Sequence, residues 1–262
     1  MQSSKSLAPT TTTLWNDSDM TNEGQATARK RIGEIDEILS SPDSLRIQAL
    51  IEGPKSMARF TDFNLRSFLD AVDRLSDPQF AESLITDPHG AEHQAYVERL
   101  QHLAANYLVS AVPFLEHLDR HVMANYPNEA HPTRIQHRLG LERSVQSYSG
   151  HLVVVQLRHM VVHRQLPTVR LVRSGHHEQA VAATIHRREL LADSRCGKDV
   201  RALLEGLPMD ELSLDGLIRD HGTLVTEFAD WFFRIQGGHH LAEILPIWRL
   251  REERLRLVGK LS

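Results

Sequence analysis

The chain has 262 residues, of which 41% are hydrophobic, enough for one large domain or two small ones with a true core. A formal net charge of −4 argues against a protein that coats nucleic acid non-specifically, though it leaves room for a local basic groove. Cys196 is the single cysteine, which excludes an intramolecular disulfide and any cysteine-rich zinc module, and predicts a reducing, cytoplasmic setting.

In chain order, residues 1–24 are rich in Thr, Ser, Asn and Asp without periodicity and predict a disordered tail with no signal-peptide core. From Gln25, Ile32, Ile35 and Leu39 recur at helical spacing until Ser41-Pro42-Asp43 interrupts them. "SLRIQALIEG" predicts a second helix. "DFNLRSFLDAVDRLSDP" predicts a third, with Asp62 as N-cap and Phe63, Leu65, Leu69, Val72 and Leu75 near one face. Ala91 to Tyr126 predicts a long bundle helix with the stripe Tyr96, Leu100, Leu103, Leu108, Val112, Leu115 and Leu118, kinked at Pro113. A further helix runs from Pro132 to Pro167, weakened at Gly140 and Gly150.

After Pro167 the period falls to about two. "TVRLVRS" and "AVAATIHRREL", separated by "GHHE", predict a β-hairpin over residues 168–190. "GKDVRALLEGLP", "LDGLIRDHGTLVTEFADWFFRIQ" and "LAEILPIWRLREERLRLVGK" then predict three more helices. In the last, Ile244, Ile247, Trp248, Leu255 and Val258 lie near one face. Its mixed charges point to a partner helix or the protein body rather than a membrane. No apolar run reaches the roughly 20 residues of a membrane span.

The stretch "QLRHMVVHRQLP", residues 156–167, places Arg158, His159 and His163 where an apolar helix should simply bury itself. Arg158 and His163 are five positions apart, about 140° around a helix, so only a long arginine side chain brings them together. His159 and His163, four apart, share a face. This stretch follows a long helical segment and precedes the hairpin and "RRELL…KDVRALLEGLPMDELSLDGLIRDH". In that arrangement the chain resembles a branch of the HEPN superfamily, whose hallmark is an arginine, four to six residues, then a histidine. Members often carry a small polar residue directly after the arginine; here that position is His159. The resemblance covers roughly residues 90–235.

The resemblance implies a mainly α, HEPN-like helical bundle with a small β-hairpin insertion and additional N- and C-terminal helices. Residues 25–87 would be an N-terminal helical segment packed on a core of residues 88–262. Active members of the family are metal-independent ribonucleases, commonly dimeric and often toxins or antiphage effectors. RNA, a second copy and an antitoxin or regulatory protein are therefore the implied partners, with no metal and no cofactor. In that chemistry His163 is the acid–base group, Arg158 the phosphate clamp, and His159 a second proton-transfer group. Arg164, Arg170 and Arg173 would steer the RNA.

Two other readings stay open. One is a non-catalytic helical interaction module of the same fold. The other is a metal enzyme using the histidine pairs His117/His121 or His159/His163, although no HExxH motif supplies the rest of a zinc site. The histidines of "HGAEH" and "GGHHLAE" match no recognised site. Neither a phosphate-binding GxxxxGK[ST] loop, nor a dinucleotide fingerprint, nor a nucleophile elbow is present. The aromatic cluster "FADWFFRIQ" is assigned to packing.

Overall fold

The computed structural model describes residues 21–173 and 181–261. It is mainly helical with one small antiparallel sheet. The chain divides into two compact units, Met1–Gln48 with His240–Ser262, and Ala49–His239. No helix among the described residues is long and apolar enough to cross a membrane.

In the smaller unit α1 (Asn22–Leu39) starts on Thr21, whose hydroxyl accepts from the Gly24 amide. That cap places residues 22–24 in a helix rather than in the expected tail; residues 1–20 of that tail lie outside the described residues. Ala28 and Ile35 are buried, as are Ile244 and Ile247 of the chain's last helix. Arg31 pairs with Glu253, Arg254 with Asp36, and Arg251 donates to Gln48.

The chain departs from the sequence reading at several joints. The second and third predicted helices are a single helix, α2 (Pro42–Asp73). Asp62 is therefore no cap: it sits mid-helix and pairs with Arg66 one turn on. Likewise the last two predicted helices form one, α9 (Leu214–Gly259), running through Gly237 and Gly238. Between them, α3 (Pro78–Thr86) is capped by Asp77, whose carboxylate accepts from Gln79 and Phe80 amides.

The long helix α4 (Ala91–Asn125) lies where the sequence predicts it. Its buried positions Tyr96, Leu100, Ala104, Tyr107, Leu108, Ala111, Leu115, Leu118 and Val122 follow the 3.6-residue period. The Pro132–Pro167 segment is broken instead of merely weakened: α5 (Pro132–Leu141) runs into a π-helical turn (Glu142–Gln146), and α6 (Ser149–His163) starts afresh. Gly150 sits at that start. A Cβ there would meet the outer end of the Tyr148 ring, so any larger residue requires that ring to swing aside.

The hairpin is formed by β1 (Val169–Arg173) and β2 (Val181–His186), paired antiparallel from Val169↔Ile185 to Arg173↔Val181. Its "GHHE" turn lies outside the described residues. "RREL" is not strand: His186 Nδ1 accepts from the Arg188 amide, and that cap turns the chain into α7 (Arg187–Leu191). A third strand, β3 (Glu211–Ser213), follows α8 (Lys198–Glu205) and pairs with β2, where the sequence suggested only a hairpin.

One core cluster joins α4 and α6 to the sheet through Leu100, Tyr107, Val154, Leu157, Val169, Ala183 and Ile185. A second, with Phe114, Leu118, Val122, Val145, Phe228 and Phe232, absorbs the aromatic cluster of α9. Packing is thus what those aromatics do.

Candidate functional site

Helix α6 is held by its inner face. Val153, Val154, Leu157 and Met160 are buried against α4 and the sheet, which fixes the helix and leaves its other faces to carry polar groups. Arg158, His159 and His163 occupy its last turns. The imidazoles of His159 and His163 meet with ring centroids 4.4 Å apart and planes inclined by 53°. The i, i+4 spacing thus does what the sequence implies.

Arg158 is half-buried. Its Nε is enclosed and makes no hydrogen bond, as is Nε2 of His159. Buried polar atoms without partners are uncommon in proteins. His163 is exposed, yet its pKa lies below the ordinary imidazole value. Partial loss of hydration is the largest cause, followed by the nearby charges of His159, Arg195 and Arg158, each of which disfavours an imidazolium.

The three arginines expected to steer RNA are all engaged with carboxylates. Arg164 pairs with buried Asp193 at 3.4 Å and donates to Ser194 Oγ. Arg170 lies between Glu189 and Glu211, at 3.7 and 3.6 Å. Arg173 grips both oxygens of Glu82, at 2.9 and 2.7 Å. Their charges are therefore largely compensated, and only Arg164 is adjacent in sequence to His163. Asp193 and Arg195 enter the neighbourhood without any local sequence signal, because they are contributed by the loop after α7.

The remaining histidines have varied work. His131 and His186 cap helices α5 and α7. His117 and His121 lie with ring centroids 6.4 Å apart. Among the described residues no group of three or more His, Cys, Asp or Glu side chains could hold a metal ion.

Sequence reasoning also missed a buried chain of three groups. Tyr107 Oη lies 2.7 Å from His221 Nδ1, and His221 Nε2 lies 3.0 Å from His151 Nδ1. The two imidazoles stack with planes 10° apart. Burial lowers the His221 pKa to about 3, with the His151 charge as a smaller cause, and raises that of Tyr107. A neutral His221 has one N–H, so it donates to one neighbour and accepts from the other, and the chain carries a single proton direction. His151 stands twelve residues before His163 on α6, about 18 Å along its axis, so this chain is separate from the Arg158–His163 cluster. The signal available beforehand was weak: Asp220-His221 at the end of "LIRDH", with nothing to pair it to Tyr107.

Comparisons of the chain with protein-family models, with curated proteins and with solved structures gave no match.

Proposed function

We propose that the chain is a HEPN-like, metal-independent endoribonuclease that works as a homodimer, of the kind used as a toxin or phage-defence effector. The observation that carries this reading is the contact between His159 and His163 beside Arg158, a helix end with two proton-transfer groups and a phosphate-binding fork. Cleavage of RNA by its own 2′-OH needs such a set. Neutral His163 takes the 2′-OH proton as O2′ attacks phosphorus. The bond to O5′ breaks, and the leaving oxygen receives a proton from a second imidazole, that of His159 or of the partner's His163. Arg158 balances the charge of the phosphorane. The products are a 2′,3′-cyclic phosphate and a 5′-hydroxyl. A depressed pKa keeps His163 in its base form at neutral pH.

The test is parallel expression of wild type and His163→Ala, with growth and RNA integrity as readouts. Growth arrest with fragmented RNA for wild type only is the expected result. Equal outcomes from equally abundant, folded proteins reject the reading.

A non-catalytic interaction module is the second reading, favoured by a specific feature of the same helix. Leu152, Val155 and Val162 on α6 are 38%, 37% and 49% exposed, an apolar stripe that a partner would cover whether or not RNA is cut.

A further inference from the structure

In the stretch that follows α6 most arginines have counter-charges. Arg164 has Asp193, Arg170 has Glu189 and Glu211, and Arg187 has Asp210. Arg158 and Arg195 have no carboxylate within ion-pair distance among the described residues, and Arg158 Nε has no partner of any kind. Among the described residues, two arginine side chains without an ion-pair partner therefore act on one imidazole, that of His163.

The placement of Arg195 is built. It lies in the loop between α7 and α8, and that loop is fastened to α6 through the buried carboxylate of Asp193. One oxygen of Asp193 accepts from Gln156 Nε2 at 2.9 Å. The other faces Arg164 Nη1 at 3.4 Å and accepts from the backbone amide of Arg195 at 3.1 Å. Arg164 adds a second fastening, to Ser194 Oγ at 3.2 Å. Gln156 and Arg164 bracket the Arg158–His163 span and lie two turns apart, so the loop is anchored before and after it.

We propose that Arg195, held against the end of α6 by Asp193, forms with Arg158 and His163 a binding site for one phosphate group, with Asp193 as its positioning residue. In the reaction proposed above this group is the scissile phosphodiester; that link rests on the ribonuclease reading, whereas the phosphate site does not. A phosphate accepts the planar forks of both arginines and places a negative charge beside His163. Partial loss of hydration disfavours the His163 imidazolium most, and the charges that face it, those of His159, Arg195 and Arg158, all of one sign, add to that; a bound anion would offset them.

Inorganic phosphate is the probe, followed through the His163 ring signals by NMR on the full chain. Saturating phosphate raises the His163 pKa, by about half a unit or more. Arg195→Gln weakens phosphate binding about tenfold and raises the His163 pKa of the free protein, while Arg195→Lys falls between it and wild type. Asp193→Asn removes a negative charge, so electrostatics alone would tighten phosphate binding; a positioning role weakens it, by about threefold or more. Gln156→Met breaks the same fastening without a charge change and weakens binding in the same direction. A wild-type His163 titration that ignores phosphate overturns the site, as does equal phosphate affinity in folded Arg195→Gln. Unchanged or tighter binding in folded Asp193→Asn and Gln156→Met overturns the role of Asp193. An oligoribonucleotide separates this proposal from the ribonuclease reading. Arg195-dependent phosphate binding without any cleavage leaves the site standing and the ribonuclease reading rejected. Cleavage at equal rates by wild type and Arg195→Gln, with no phosphate bound, does the reverse.

Discussion

The imidazole of His159 lies 4.4 Å from that of His163, ring centroid to ring centroid, and it is one of the charges that hold the His163 pKa down. For the ribonuclease proposed above, the pH profile follows from this contact. The acidic limb of kcat/KM should fall below the ordinary imidazole pKa, because His163 stays unprotonated to lower pH. His159→Gln removes one of the repelling charges, so the limb should move up in pH. Rate profiles of the two proteins, alongside NMR titration of His163, check both the position and the direction. A limb that does not move uncouples the two rings.

Arg158 separates chemistry from folding. Arg158→Lys keeps the charge but loses the planar fork, and should lower the cleavage rate by roughly 10² to 10³, about 2 to 4 kcal/mol of transition-state stabilisation. Because Arg158 Nε makes no hydrogen bond in the fold, the thermal midpoint should stay within a few degrees of wild type. A large drop in that midpoint makes Arg158 a structural member of the bundle instead.

Acid should loosen the larger unit through His221. Its pKa is about 3 in the fold against 6.5 for a free imidazole, so the folded state favours the neutral ring. Its stability contribution is complete above about pH 6.5 and is lost progressively as pH falls toward 3, where the unfolded chain binds a proton that the folded one refuses. The full loss is on the order of 5 kcal/mol. Urea denaturation of wild type and His221→Gln at pH 7, 5.5 and 4.5 tests this. Parallel decline of both proteins with acid assigns the sensitivity to other groups.

The exposed stripe of α6 predicts assembly. Leu152→Lys with Val162→Lys should convert a dimer to a monomer in sedimentation velocity while leaving helix content unchanged, since both side chains project from the surface. A wild-type protein that is monomeric at concentrations where it cuts RNA confines the acid and base to one chain, and makes His159 the second group.

Periodicity alone was enough for α4, from Ala91 to Asn125, because a buried stripe repeating from Tyr96 to Val122, about seven turns, leaves a helix as the sole way to hide it. It was enough for the pairing of His159 with His163, since four residues on a helix is a local distance. It misled at α2 and α9. The helices predicted to end at Gly53 and at Gln236 continue through Pro54 and through Gly237-Gly238, because local propensity is worth only a few kcal/mol and packing outweighs it. The end of β2 went the other way, decided by a histidine cap that no hydropathy pattern displays.

The site divides along the same line. Arg158, His159 and His163 share one helix and were legible from spacing. Asp193 stands 37 residues from Gln156, and His221 stands 114 from Tyr107, and only the folded chain brings these pairs into hydrogen-bond contact. Tertiary structure also decided which arginines keep an uncompensated charge: Arg164, Arg170 and Arg173 look in the sequence like a basic edge, and each meets a carboxylate from a distant element. Sequence sets which groups are present and which face of a helix they share; the low dielectric and long-range packing of the fold set which of them are neutralised, buried or left to act.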